Sequence, residues 1–143
     1  MKHLLTFFRD IYIDFSIFIV ASIILVFYTY DQRSLKWWIY LCVIVSSLAL
    51  WVKARIDLGN SFSVQPKADQ LISQGLYARI RHPIYLFSTI AAFFWALMAE
   101  RWYWFVPTIL LILLQIWRAR KEEQKMLEKF NGQYIEYKRK TWF

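Results

Sequence analysis

Cysteine, glycine, proline and histidine are all scarce in this chain, at one, three, three and two residues among 143. The single cysteine, Cys42, lies inside an apolar run, which excludes a disulfide framework and a thiolate metal site and leaves the redox compartment open. Two histidines, His3 and His82, are too few for a histidine-rich cluster, so no metal is expected. No glycine-rich strand-to-helix loop is present, which argues against the nucleotide-binding mode of soluble dinucleotide enzymes. Acidic residues number ten against eighteen Lys and Arg, for a formal net charge of +8.

Apolar and aromatic residues are abundant instead: 59% of the chain is hydrophobic and 20% aromatic, too much for an ordinary soluble domain. The composition is that of an integral membrane protein. Its positive charge sits beside the apolar runs, a placement that suits anionic lipid headgroups and gives no reason to expect nucleic acid.

The chain reads as one domain, 1–143, built as an all-α membrane bundle of about four transmembrane helices. The spans are expected at 11–30, 35–52, 83–99 and 102–117, with a cytoplasmic loop at 53–82 and an amphipathic cytoplasmic helix at 118–140. The first span follows Lys2 and Arg9 as a signal peptide would, but no small-residue cleavage site follows, so it reads as retained. Asp10 and Asp14, one turn apart, read as a helix edge facing water rather than a buried functional pair. Lys36, Trp37 and Trp38 open the second span and Trp51 and Lys53 close it, the residue types that meet headgroups. Ser46 and Ser47 are expected against a neighbouring helix.

The connection before His82 holds Gly59, Pro66 and Gly75 and is the one long loop, with a turn at 58–62 and a short interfacial helix at 71–80 as expectations. Only Glu100 and Arg101 separate the third and fourth spans, so these must form a tight antiparallel hairpin. Pro107 is a possible kink, and Gln115 an amide in apolar sequence that needs a partner. In the tail, Glu123, Leu127, Phe130, Tyr134 and Tyr137 recur at helical spacing, with Asn131 and Gly132 as a break. Every lysine and arginine except Arg33, Lys36 and Arg101 then falls on one side, which places both termini in the cytoplasm.

The chemically densest stretch is YARIRHPIY at 77–85. Pro83 suits the first position of a helix, which makes His82 its cap. A helix N-terminus flanked by Arg79, Arg81 and His82 can hold a carboxylate or phosphate; a basic loop at the membrane edge is the plainer alternative. The hairpin returns the chain beside this stretch at Arg118, Glu122 and Glu123. Glu122 and Glu123 point about 100° apart on a helix, so they take different tasks: Glu122 toward Arg118, Glu123 toward the bundle. Such a site suits a zwitterion whose ammonium meets Glu123 and whose carboxylate meets Arg81, His82 or the helix end. Tyr77, Tyr85, Tyr134 and Tyr137 offer faces for an aromatic base or a cation. A salt-bridge network that merely pins the tail to the hairpin satisfies the same spacing, and both readings remain open.

The runs LGNSF, LISQGLYARIRHPIY and RARKEEQKMLEKFNGQYIEYKRK, with an apolar hairpin before the last, resemble the isoprenylcysteine carboxyl methyltransferase family and its phospholipid N-methyltransferase relatives. The resemblance implies a multi-span membrane enzyme that uses S-adenosylmethionine. It further implies a cofactor pocket of Tyr77, Arg81, His82, Pro83 and Tyr85 on one arm and Arg118, Glu122, Glu123, Phe130, Tyr134 and Tyr137 on the other, with Arg81, His82 and Glu123 nearest the chemistry. Leu76 and the pair Asn131 and Gly132 depart from the family pattern. The expected acceptor is a lipid or lipidated molecule arriving from the bilayer, methylated on a carboxylate or an amine. Alternatives are a non-catalytic scaffold that keeps the fold and, less favoured, a lipid reductase using a nicotinamide cofactor.

Overall fold

The computed structural model describes residues 34–58 and 74–142, together with Val20, Ile23, Ile24 and Thr29. The first expected span, Asp10, Asp14 and the turn expected after Leu58 fall largely or wholly outside the described residues. The chain divides into two compact units, 1–38 and 39–143. In the first, the indole N–H of Trp37 donates to the Thr29 hydroxyl at 2.9 Å, and both residues are buried.

The described residues are helical, with no strand among them. Helix α1 is Leu35–Leu58, α2 is Pro83–Met98 and α3 is Phe105–Lys140; single turns of 3-10 helix occupy Gly75–Ala78 and Trp102–Trp104. By length and composition, α1 and the stretch Trp102–Lys140 can each cross a bilayer, while α2 is a shorter apolar helix. The outward faces agree with this: Ile109, Leu110, Leu113, Leu114 and Trp117 on α3 are all exposed. A helix surface of that kind is one that lipid rather than water covers.

Two boundaries differ from those expected. Helix α1 does not stop at Val52 but runs through Lys53, Ala54, Arg55 and Asp57 to Leu58. Charge ends an apolar span without ending a helix, and no glycine or proline intervenes before Gly59. For the same reason the fourth span and the tail are one helix: from Trp117 to Phe130 the sequence is mostly Ala, Arg, Lys, Glu, Gln, Met and Leu, all strong helix formers. Pro107 causes no kink. It sits in the first turn of α3, where its missing N–H costs no intrahelical bond. Of the two serines in α1, Ser47 is buried and Ser46 exposed, as a 100° step per residue requires.

The hairpin of α2 and α3 is closed by polar contacts. The Gln115 side chain receives the Thr89 hydroxyl hydrogen at Oε1 and donates from Nε2 to Ser88 Oγ at 2.9 Å. Nearer the turn, the Thr108 hydroxyl reaches the Ala92 carbonyl of α2 at 3.5 Å while bonding the Trp104 carbonyl of its own arm at 3.0 Å. The turn itself is carried by Glu100, whose φ is 52°.

The tail does not continue as one amphipathic rod. Asn131 has φ 34° and ψ −107°, outside helical values. Lys138 Nζ nonetheless lies 2.9 Å from Glu123 Oε2, fifteen residues earlier. In an unbroken helix that separation is about 22 Å at about 1.5 Å per residue, so the chain must fold back at Asn131. Asn tolerates positive φ better than most residues, because its short amide bonds locally to the backbone. The returning segment is fastened at its end by a parallel bridge between Ile80 and Trp142: Trp142 N–H donates to the Arg79 carbonyl at 3.0 Å and Arg81 N–H to the Trp142 carbonyl at 3.4 Å.

Candidate functional site

Pro83 opens α2 and His82 caps it, with Leu86 N–H donating to the His82 carbonyl at 3.0 Å. The His82 side chain makes no capping bond to the N–H groups of the first turn. Residues 75–82 are held to the end of α1 by Asp57, whose Oδ2 accepts the Leu76 N–H at 3.0 Å. Glycine suits position 75: its φ is +58°, and a Cβ there would run into the Asp57 carboxylate unless that side chain moved away. Of the helix expected over 71–80, residues 71–73 lie outside the described residues; from 74 on there is a single 3-10 turn, Gly75–Ala78, which buries Tyr77.

The doubling back of α3 brings both glutamates to this end of the hairpin. Tyr85 donates its hydroxyl hydrogen to Glu122 Oε1 at 2.6 Å, and His82 Nδ1 lies 3.8 Å from Glu122 Oε2. Glu123 Oε1 faces Arg81 Nε at 3.6 Å and His82 Nε2 at 3.5 Å, while its Oε2 faces Lys138. The two carboxylates thus share His82 and otherwise take different partners, Tyr85 for Glu122 and Arg81 with Lys138 for Glu123, in keeping with their 100° separation. Arg118, one turn before Glu122, bears electrostatically on Tyr85. Tyr134 and Tyr137 lie against one another with ring centres 6.0 Å apart, and Tyr137 donates to the Tyr77 carbonyl at 2.7 Å. They reach the site through the reversal at Asn131 and do not continue the face that carries Glu123.

Among the predicted residues, Tyr77, Arg81, His82, Tyr85, Glu122, Glu123 and Tyr137 are joined by these contacts. Pro83 is buried beneath them, and Tyr134 is buried with Glu123 and Arg81 as its charged neighbours. Phe130 is not among the residues so joined; its ring lies under Lys129 Nζ at 5.6 Å.

Side-chain exposure is 14% for His82, 16% for Arg81 and 21% for Glu123, so these charges are largely withdrawn from water. Burial pushes the His82 imidazole below its ordinary value, against the opposing pull of Glu122 and Glu123, and favours the neutral ring. Burial also pushes Glu123 up, but Lys138, Arg81 and His82 together outweigh it and hold the carboxyl below its usual range. Burial raises Tyr77 and Tyr134 well above the ordinary phenol value and Tyr137 to about 12, so all three stay protonated donors near neutral pH. Arg81 Nε and His82 Nε2 are buried without a hydrogen-bond partner, their approaches to Glu123 being too long. A buried polar group left without a bond is costly, and both face the same carboxylate. The arrangement presents cation and anion side by side, edged by aromatic faces, next to the N-terminus of an apolar helix. Those charges and faces are complementary to a zwitterion with an aromatic portion.

Four residues of this neighbourhood carry no local signal in the sequence. Arg55, which stacks over Trp51 at 4.9 Å and bears on both Tyr77 and Tyr85, reads in sequence only as a flanking charge. Asp57, Lys138 and Trp142 matter only because of where the folded chain puts them.

A family model described as phospholipid methyltransferase matches residues 15–133. The chain is also similar to the protein-S-isoprenylcysteine O-methyltransferase of Saccharomyces cerevisiae, with 36% identity over 94 residues. That match takes in 58% of this chain and 37% of the yeast protein, so the chain spans well under half of that relative's length. No solved structure matches.

Proposed function

The chain belongs to the phospholipid methyltransferase family, and we propose that it is a multi-span membrane enzyme, dependent on S-adenosylmethionine, which methylates a lipid or lipidated acceptor. The observation that carries this reading is the meeting of Arg81 and His82 with Glu122 and Glu123 across the α2–α3 hairpin, with two buried donor nitrogens left unbonded.

The residues suit that cofactor's charges. Glu123, held ionised by its cationic neighbours, would take the ammonium. The side chain of Arg81 and the free N–H groups at the start of α2 would take the carboxylate. The rings of Tyr77, Tyr134 and Tyr137 would border the adenine, and their protonated hydroxyls would donate to it or fix the walls around it. When bound, the cofactor supplies an electrophilic methyl group to a nucleophile held in line with it. The protein's share is therefore positioning and exclusion of water, for which a site withdrawn from solvent at the end of an apolar hairpin is suited. A carboxylate acceptor is ionised near neutral pH and needs no base. For an amine acceptor, His82, kept neutral by burial, would accept the proton on the ring nitrogen that carries no hydrogen. Both termini are assigned to the cytoplasm, on the side that carries the excess of Lys and Arg.

Titration calorimetry of the purified protein in lipid nanodiscs with S-adenosylhomocysteine tests the pocket; binding is expected, with a loss of about tenfold or more on Glu123→Ala. Incubation with methyl-labelled S-adenosylmethionine and a membrane lipid extract tests the reaction. A labelled lipid is expected, and binding without labelled product would move the assignment to a scaffold that keeps the fold.

A further inference from the structure

The Lys138 ammonium occupies the outer oxygen of Glu123 at 2.9 Å. It arrives there only because the chain reverses at Asn131 and is fastened beyond, by Tyr137 to the Tyr77 carbonyl at 2.7 Å and by the bridge of Trp142 to Ile80. The three cations on this carboxylate are not equivalent. Arg81 and His82 face Oε1 from the α2 side, are largely buried and lie beyond hydrogen-bond distance. Lys138 makes the one short contact, on Oε2, and is itself about half exposed at 46%. A lysine ammonium on four rotatable methylenes can leave for water at little cost, whereas the two inner cations cannot.

We propose that Lys138 is a built-in stand-in for the ligand's ammonium: it keeps Glu123 paired while the site is empty and must be displaced from Oε2 when a cationic ligand group binds. The inference rests on the reading of Glu123 as the ammonium subsite. Both ammonium groups carry the same charge and the same hydrogen-bonding capacity, so one replaces the other without stranding the carboxylate. Only a ligand group that is itself cationic can make the exchange. A neutral group would leave Glu123 with Lys138 and gain nothing. Lys138 therefore sets both the affinity and the charge selectivity of the subsite, at the cost of a small competitive handicap to every ligand that enters. The neighbouring Lys140 has no such role, since it pairs with Glu136 one turn away on the exposed face.

The test compares full-length wild type, Lys138→Gln, Lys138→Arg and Lys140→Gln by titration calorimetry in nanodiscs. Two probes are used: S-adenosylhomocysteine, which carries the ammonium, and 5′-methylthioadenosine, which lacks the whole amino-acid portion. Lys138→Gln is expected to bind S-adenosylhomocysteine about two- to tenfold more tightly, the range a half-exposed ion pair allows. Lys138→Arg and Lys140→Gln should match wild type, and 5′-methylthioadenosine should bind all four alike. Unchanged or weaker binding of S-adenosylhomocysteine by Lys138→Gln overturns the inference, as does an equal gain for both probes. If S-adenosylhomocysteine binds neither wild type nor Lys138→Gln, the cofactor reading itself falls. Binding by wild type with no gain in the variant removes only the role given to Lys138.

Discussion

The Tyr85 hydroxyl and Glu122 Oε1, thirty-seven positions apart in the chain, are joined by a 2.6 Å hydrogen bond. This contact ties the first turn of α2 to the stretch of α3 that emerges from its apolar portion, and so fixes the register at which the two arms of the site meet. Phenol to carboxylate is a charge-assisted bond, stronger than its neutral counterpart. Tyr85→Phe should lower the stability of the folded protein by about 1–3 kcal/mol and weaken S-adenosylhomocysteine binding several-fold. Thermal unfolding and calorimetry on the same preparation check both halves; unchanged binding would mean that Glu122 needs no orienting partner.

Gly75 combines a φ of +58° with the carboxylate of Asp57 in the place a Cβ would take. Gly75→Ala should therefore destabilise twice over, by backbone strain of about 1–2 kcal/mol and by breaking the Asp57 contact to Leu76 N–H. The double variant Gly75→Ala with Asp57→Ala separates the two, because it removes the clash and keeps the strain. It should be no less stable than the sum of the single effects predicts, and unfolding midpoints of the three variants decide it.

Gln115 is clasped by Ser88 and Thr89 inside the hairpin. The Ser88 hydroxyl also donates within its own helix, to the Ile84 carbonyl at 2.7 Å. Gln115→Leu thus strands little, and in a lipid-covered hairpin should cost only about 0.6–1.7 kcal/mol. Denaturation in mixed micelles measures it, and a loss far above that range would show that the amide holds the two helices in register.

His82 is pushed below its ordinary value of 6.5 by burial. As pH falls below 6.5, the unfolded chain takes up a proton that the folded site still refuses. Stability therefore falls with pH from that point down to the lowered folded value. Glu123, held below its ordinary value, adds a further loss only at more acid pH, as it is protonated. Unfolding midpoints measured from pH 7.5 to 5 should decline in wild type, and more shallowly in His82→Gln. Equal slopes would show that the imidazole takes up its proton alike in the folded and the unfolded chain.

Much of this protein is written locally. Composition determined a helical, lipid-covered chain; Pro83 determined where α2 begins and that His82 caps it; the two-residue link at Glu100 and Arg101 determined the hairpin. Those two features brought Arg81, His82, Glu122 and Glu123 into one neighbourhood before any coordinates, because a helix start and a tight reversal are short-range properties. The adjacency of Glu122 and Glu123 likewise fixed that they point apart, though both face His82. Tertiary structure alone decided the rest. Asn131 and Gly132 marked the break, but periodicity carried Glu123, Tyr134 and Tyr137 along a single face, and only the fold shows that the positive φ at Asn131 turns the tail back and delivers the tyrosines, Lys138 and Trp142 from the opposite direction. The contact of Asp57 with the turn at Gly75 was equally hidden, since Asp57 lies beyond the charge that ends the apolar span of α1, on a helix that runs on past it. Periodicity records which residues share a face while a helix lasts; what a broken helix then touches depends on contacts between residues far apart in the chain.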